Sequence, residues 1–168
     1  MSDETILKLG DLIIPVGAGR GITQTLQPID NGDLRRTVNG TLLDLTRTEN
    51  RKYESQVQCT DMAAPTLAGI WKGSEIAVNC IKHLRQVVTP ESTNVTLIRD
   101  PVAGSVVGYD SSGNKVTPDS VVNRDVTFLV NVAMVKFRPA LTMMVVALTE
   151  NEDEYAAEEG WTIDLEEV

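Results

Sequence analysis

Few residues in this chain stand at spacings that support chemistry. The one glycine-rich loop, Gly17 to Gly21, lacks the Gly-Lys-Ser/Thr ending of a phosphate-binding loop, and no helical pattern follows it. His83 is the single histidine and lies beside Lys82 and Arg85, and no Gly-x-Ser-x-Gly nucleophile motif occurs. The sequence therefore predicts a flexible loop, a surface or edge histidine and no catalytic residues.

Residues that could bind a metal are also poorly spaced. Cys59, Cys80 and His83 do not match a metal-ligand spacing. Both cysteines fall on the apolar parity of strand-like runs, so we interpret them as buried thiols; a cross-strand disulfide stays open if the two strands are neighbours. The acidic run from Glu150 to Glu154 lacks the spacing of a calcium loop. We expect no cofactor and no metal.

The formal charge is concentrated at one end of the sequence. Residues 149–168 contain nine acidic side chains and no basic one, whereas the other 148 residues carry 15 Lys and Arg against 15 Asp and Glu. A net charge of −9 argues against affinity-driven binding of nucleic acid or anionic membranes. The acidic and polar start, Met1 to Thr5, predicts no export signal.

The acidic end also carries the pattern of a docked strand. Trp161, Ile163 and Leu165 alternate with polar residues, which is typical of a strand that buries one face. Asn39-Gly40 predicts a hairpin with a type I′ turn, and residues 110–114 predict a second one. We predict one all-β domain over residues 1–168, a barrel or sandwich of roughly eight to ten strands with long loops. At most one short helix is expected, around Tyr155 to Ala157.

The longest strand-like run, Val126 to Arg138, is apolar on both parities, which predicts cover on both of its faces. Leu141 to Leu148 is a further apolar run, and we interpret the two as paired strands with a bulge or edge at Pro139. The loop from Asp61 to Gly73 is long and carries Trp71 between two glycines. It either plugs the core or contacts a partner, and Trp71 would then anchor that contact.

Four segments of the chain resemble small virion proteins encoded among the tail genes of tailed bacteriophages. They are Leu34 to Leu45, Arg51 to Gly73, Phe137 to Val145 and Gly160 to Val168. The resemblance covers under half of the chain and does not separate a tail-tube component from a distal-tail or baseplate ring protein.

The resemblance implies a non-enzymatic β-barrel or sandwich that assembles as a ring around the tail axis, typically six-fold. Its partners would be copies of itself and other tail proteins, while DNA passes without specific binding and no membrane is involved. Such a protein would be made and assembled in the host bacterial cytoplasm and would reside in the virion tail.

This interpretation assigns two sets of candidate residues. We expect subunit contacts from the 61–73 loop and the 126–148 strands, with candidates Pro65, Ile70, Trp71, Phe137 and Met143. We expect the acidic segment to line or rim a DNA conduit, with candidates Glu152, Asp153, Glu154, Glu158 and Glu159.

Two alternatives remain open. One is a head-decoration or head–tail joining protein, which differs in its position in the particle. The other is a soluble β-barrel module that binds carbohydrate or peptide, which would need an aromatic-lined groove from only seven aromatic residues.

Overall fold

The computed structural model describes residues 5–29, 34–44, 51–153 and 158–168, and this part of the chain is all-β. The expected short helix and the candidate Glu154 lie outside the described residues. The described chain contains no helix long and apolar enough to cross a membrane. Its strands are β1 (Lys8–Leu9), β2 (Thr23–Pro28), β3 (Leu34–Arg36), β4 (Leu42–Asp44), β5 (Tyr53–Asp61), β6 (Glu75–Asn79), β7 (Leu84–Thr96), β8 (Val107–Tyr109), β9 (Lys115–Val116), β10 (Ser120–Val122), β11 (Asp125–Phe137), β12 (Ala140–Asp153) and β13 (Glu158–Glu167).

The main sheet has six strands in the order β1-β6-β12-β13-β5-β2, all antiparallel. The predicted C-terminal strand, β13, is confirmed and lies at the centre of this sheet. Trp161, Ile163 and Leu165 are buried beneath it together with Val57 and Met143. The sheets curl into a half-barrel, which places this core on the inner face.

A second sheet has the order β10-β11-β8-β9, and β7 also pairs with β11. It covers a separate apolar cluster that includes Phe128, Val132, Val135 and Phe137. The described chain therefore builds two hydrophobic clusters, one beneath each large sheet. The prediction of one domain stays a prediction.

The two long apolar runs are not paired, so the predicted partnership of Val126–Arg138 with Leu141–Leu148 is wrong. β11 belongs to the second sheet and β12 to the first. Pro139 stands between them, and proline has no N–H to continue a ladder. Its carbonyl accepts from Cys80 N at 3.0 Å, and it forms an isolated bridge with Pro101. The chain changes sheets at this residue.

β11 is buried on one face, not on both. Val126 and Phe128 point inward on one parity, whereas Val135 and Phe137 point inward on the other. Register shifts against β7 separate these two stretches, because each irregularity changes which parity faces the core. Leu129 is 80% exposed. The mixed parity in the sequence therefore reflects bulges and not a second covering layer.

Both predicted hairpins are confirmed, but the first has a different turn. Thr37 N donates to Thr41 O at 2.9 Å, and Gly40 N donates to Thr37 O at 2.9 Å. Gly40 has φ of 80°, whereas Asn39 does not adopt positive φ. A type I′ turn needs positive φ at both residues, so this is a three-residue loop that ends in a left-handed glycine. The Asp110–Asn114 turn closes in the same way through Gly113.

The two cysteines are free and buried, as the apolar parity predicts. Cys59 lies on β5 and Cys80 follows β6, and β12 and β13 separate these strands in the sheet. The condition for a cross-strand disulfide is therefore not met. Burial raises the pKa of the Cys80 thiol to about 11.

Gly108 on β8 provides a test of the second core. A Cβ added there would lie 2.6 Å from Cε1 of Phe128 and 2.8 Å from Cγ1 of Val132. We expect Gly108→Ala to lower the free energy of unfolding by about 1–3 kcal/mol through overpacking. Gly69→Ala is the control, since nothing lies within 4 Å of that position. Equal denaturation midpoints for the two variants would contradict this packing.

An ion pair joins the segment that follows β7 to the end of β13. Arg99 Nε donates to Glu167 Oε1 at 2.5 Å and its Nη2 donates to Oε2 at 3.1 Å, while the guanidinium lies 5.5 Å from the Tyr53 ring centroid. Glu167 also accepts from Tyr53 N at 3.0 Å. The hydrogen bond to Glu167 raises the pKa of Arg99. Both side chains are largely withdrawn from water.

We expect Glu167→Gln to lower the free energy of unfolding by about 1.5–3 kcal/mol, because charged hydrogen bonds become neutral ones. The matched control is Glu166→Gln on the adjacent, exposed position. Chemical denaturation of both variants measures the difference. A loss in Glu166→Gln as large as in Glu167→Gln would argue against a specific role for the ion pair.

Candidate functional site

No group of three or more His, Cys, Asp and Glu residues in the described chain could hold a metal ion. The glycine-rich loop is fixed at Arg20, whose backbone N and Nη2 donate to the Asp61 carboxylate at 2.9 and 3.0 Å. These hydrogen bonds lower the pKa of Asp61. The carbonyl of Gly17 accepts from Met62 N and Ala63 N. This arrangement attaches the loop to the end of β5 and builds no phosphate cradle.

His83 is half-buried in the turn between β6 and β7. Burial and the nearby cations Lys136, Arg138 and Arg85 lower its pKa. These surroundings therefore favour the neutral form of the imidazole. The sequence predicts a surface or edge histidine, and the structure places His83 outside the strands, in this turn.

The outward face of the six-stranded sheet is the most distinctive surface of the molecule. We define it as the side opposite Trp161, on which side chains alternate with those of the core. Its central strands β12, β13 and β5, together with the edge strand β2, present hydroxyl and amide side chains with five carboxylates among them. The members are Thr23, Thr25, Gln27, Gln56, Gln58, Thr60, Thr149, Asn151 and Thr162, with Glu54, Asp153, Glu158, Asp164 and Glu166.

Positive charge is nearly absent from this sheet. β2, β5, β6, β12 and β13 contain no lysine or arginine, and Lys8 on the short edge strand β1 is the one exception. The other basic residues of the described chain lie in loops, in the β3–β4 hairpin and around the second sheet. The charge imbalance of the sequence is therefore also an imbalance in space.

Two open grooves of about 330 and 390 Å³ follow the outward face. The first is lined by Gln27, Glu54, Gln56, Asp164 and Glu166, among others. Gln56 Nε2 donates to Asp164 Oδ1 at 2.8 Å, and Gln27 Nε2 donates to Glu54. The amides thus hold two of the carboxylates in place along the groove.

Several carboxylates face each other directly across the strands. The register places Glu166 opposite Glu54 and Asp153 opposite Glu158 on the outward face. Like charges at directly opposed positions destabilise an antiparallel pair. The sheet therefore keeps this negative face at a cost in its own stability.

The predicted acidic conduit residues do not form one surface. Asp153 and Glu158 lie on the outward face, whereas Glu152 and Glu159 oppose each other on the inward side. Glu159 accepts a hydrogen bond from Ala64 N of the 61–73 loop. Sequence analysis missed Glu54, Asp164 and Glu166 as members of the outward face. The alternation from Trp161 to Leu165 could have indicated Asp164 and Glu166.

The residues predicted to make subunit contacts differ in how deeply their side chains are buried. Pro65, Phe137 and Met143 are buried within the chain, and Ile70 is half-buried against the main core. Trp71 is 74% exposed. The loop thus plugs the main core through Leu67 and leaves Trp71 at the surface.

Trp161 is the one aromatic residue of the described chain that lines either of the two grooves. Trp161, Phe128 and Phe137 are buried, and Tyr53 and Tyr109 are half-buried. Trp71 is the one strongly exposed aromatic residue among those described. Our comparisons of the chain with protein families, curated proteins and solved structures found no match.

Proposed function

We propose that the protein is a non-enzymatic structural virion protein of a bacteriophage tail. It assembles as a ring, typically six-fold, in the tail tube, distal tail or baseplate around the DNA conduit. The outward face is the observation that supports this most. It is broad, polar and negative, and five of its six strands contain no lysine or arginine.

A conduit for DNA needs a wall that does not retain it. Lysine and arginine bind the phosphate backbone by displacing counterions, so their absence removes the main source of non-specific affinity. Carboxylates such as Asp164 and Glu166 repel the phosphates, while the threonine and glutamine side chains stay hydrated. The outward face combines both properties.

Open strand edges support assembly by neighbouring copies. β2 ends the main sheet, pairs only with β5 among the described strands, and carries no charge in Thr23–Pro28. At the other side, β6 pairs with β12 only as far as Met144. An uncharged unpaired edge such as β2 favours strand addition, whereas the unpaired part of β12 carries Glu150, Glu152 and Asp153. Pairing β2 of one copy with the β12 edge of the next would extend the outward face around a closed ring.

The first test is the mass of the purified protein by light scattering over a range of concentrations, followed by electron microscopy. We expect a closed oligomer near the six-fold order, with the outward face toward its lumen. Mass spectrometry and antibody labelling of particles of the encoding phage then test whether the protein is part of the particle and where in it the protein lies. Labelling at the head would favour the head-decoration or joining alternative, and absence from particles would contradict the proposal.

A charge test addresses the conduit itself. We expect Glu54→Gln, Asp164→Asn and Glu166→Gln together to slow DNA ejection several-fold, because the wall would repel phosphate less. The matched control neutralises three exposed acids outside the main sheet, through Glu91→Gln, Asp100→Asn and Asp119→Asn. Ejection kinetics from intact particles provide the measurement. Equal ejection rates in the two triple variants would contradict a conduit role for this face.

A further inference from the structure

Four cations gather around His83, where the turn that follows β6 meets the end of β11. Each of their charges lowers the pKa of the imidazole, so all four lie close to it. We call them the cation cluster, and its members are Lys82, Arg85, Lys136 and Arg138. Lys82 and Arg85 are exposed, whereas the other two are half-buried.

The strand register fixes the arrangement of the cation cluster. Lys136 on β11 is the cross-strand partner of Arg85 on β7, so their side chains share one face of the second sheet. His83 lies two residues before Arg85, and Arg138 lies two residues after Lys136, so both continue the same parity. Lys82 belongs to the turn, outside this alternation, and joins the cluster through its closeness to His83.

The positive charge of the cluster is not compensated within the described chain. None of its four side chains forms a hydrogen bond or an ion pair with another described residue. Nη1 of Arg138 is buried and has no hydrogen-bond partner there. Cations at opposed positions repel each other, and a buried donor without a partner is costly. The cluster therefore suits carboxylates that come from outside the chain.

The cluster adjoins the free edge strand of the main sheet. Oε1 of Gln24 on β2 accepts from Ile81 N at 2.7 Å and from Lys82 N at 3.1 Å. Gln24 is the cross-strand partner of Val57, which is buried in the main core, so its side chain points to the inward side. Lys82 is therefore held beside β2 on the inward side of the sheet.

Two carboxylates occupy the same side of the sheet at its other open edge. Glu150 opposes Trp161 and Glu152 opposes Glu159, so both acids lie on the inward side. They follow the part of β12 that pairs with β6, which ends at Met144. Glu150 and Glu152 are exposed, and neither forms a hydrogen bond or an ion pair with another described residue.

Pairing between copies would bring the acids and the cations together. β12, β13, β5 and β2 alternate in direction, so β12 of the next copy can pair with β2 in the antiparallel manner of the whole sheet. We call this pairing the seam. The joined sheet has one inward side, on which the acids of one copy meet the cations of the other.

The charges also address the choice of partner and register. β2 is polar and uncharged, so it specifies the pairing register only weakly. The acids on β12 oppose pairing with a strand that brings no cation. A cation beside β2 would therefore select this partner and one register at the seam.

We propose that the cation cluster of one copy binds Glu150 and Glu152 of the next copy beneath the seam. The exposed members, Lys82 and Arg85, face the two carboxylates, and the half-buried ones add to the positive potential. This inference rests on the proposed function and deepens it, because it names the side-chain contact that sets how neighbouring copies join.

Sedimentation velocity of the full chain at several concentrations and salt levels tests this contact. We expect wild-type self-association to weaken as salt is raised. Lys82→Glu with Arg85→Glu should weaken association at least tenfold, and so should Glu150→Lys with Glu152→Lys. In both variants salt should strengthen association, because the charges at the seam then repel. The chain that combines all four changes should regain association and the wild-type salt dependence.

A matched control reverses two exposed cations outside the cluster, through Lys115→Glu and Arg124→Glu. This variant has the same net charge as the cluster reversal and should associate like the wild type. None of the reversed side chains forms a hydrogen bond or an ion pair with a described residue, so we expect no variant to lose melting temperature.

A wild-type chain that stays monomeric at every concentration would overturn the inference. So would equal association of the cluster and control variants, or failure of the fourfold exchange to restore it. Cluster variants that still form rings and enter particles would overturn this contact and leave the proposed function intact. Cluster-dependent association of a protein absent from particles would overturn only the proposed function.

Discussion

The central position of β13 is the constraint on which the rest of the structure depends. This strand pairs with β12 on one side and β5 on the other, and it buries Trp161, Ile163 and Leu165 in the main core. Trp161 also donates from Nε1 to Ala18 O at 3.3 Å, which holds the glycine-rich loop against the sheet. Glu167 near its end accepts a hydrogen bond from Arg99, which lies in the segment that follows β7. The main core, the glycine-rich loop and the junction between the sheets therefore all depend on contacts with β13.

The same strand shows a conflict between stability and surface chemistry. Its inward residues favour folding, whereas Glu166 opposes Glu54 and Glu158 opposes Asp153 on the outward face. Opposed carboxylates lower the stability of strand pairing. A stable half-barrel could place threonine or glutamine at all four positions, as it does at neighbouring ones. The retained negative charge is therefore more readily understood as a property of the surface than of the fold.

Local patterns in the sequence predict local structure well here. The alternation around Ile163 predicts β13, and glycine at positions 40 and 113 predicts both hairpins. Strand partners were not predictable, because β5 and β13 are on the order of 100 residues apart and leave no local signal of their pairing. Adjacent runs such as β11 and β12 suggest pairing, yet Pro139 sends them to different sheets. Bulges in β11 were equally hidden, since a shifted register resembles a strand that is apolar on both sides.

For the candidate site, the negative charge was visible in the sequence, but the division of that charge between the two faces of the sheet depends on the strand register, which the sequence does not show.

The reactivity of the two buried thiols can report local opening of the main sheet. Cys59 lies in β5 beside β2, and Cys80 follows β6 at the other side of the sheet. With a pKa of about 11, the Cys80 side chain is a thiolate in roughly one molecule in a thousand at pH 8, and a thiol reagent reaches it only when its surroundings open. Labelling rates at the two positions therefore separate opening at one margin of the sheet from opening at the other. A chain held at its edges by neighbouring copies would protect both thiols for longer than a free one.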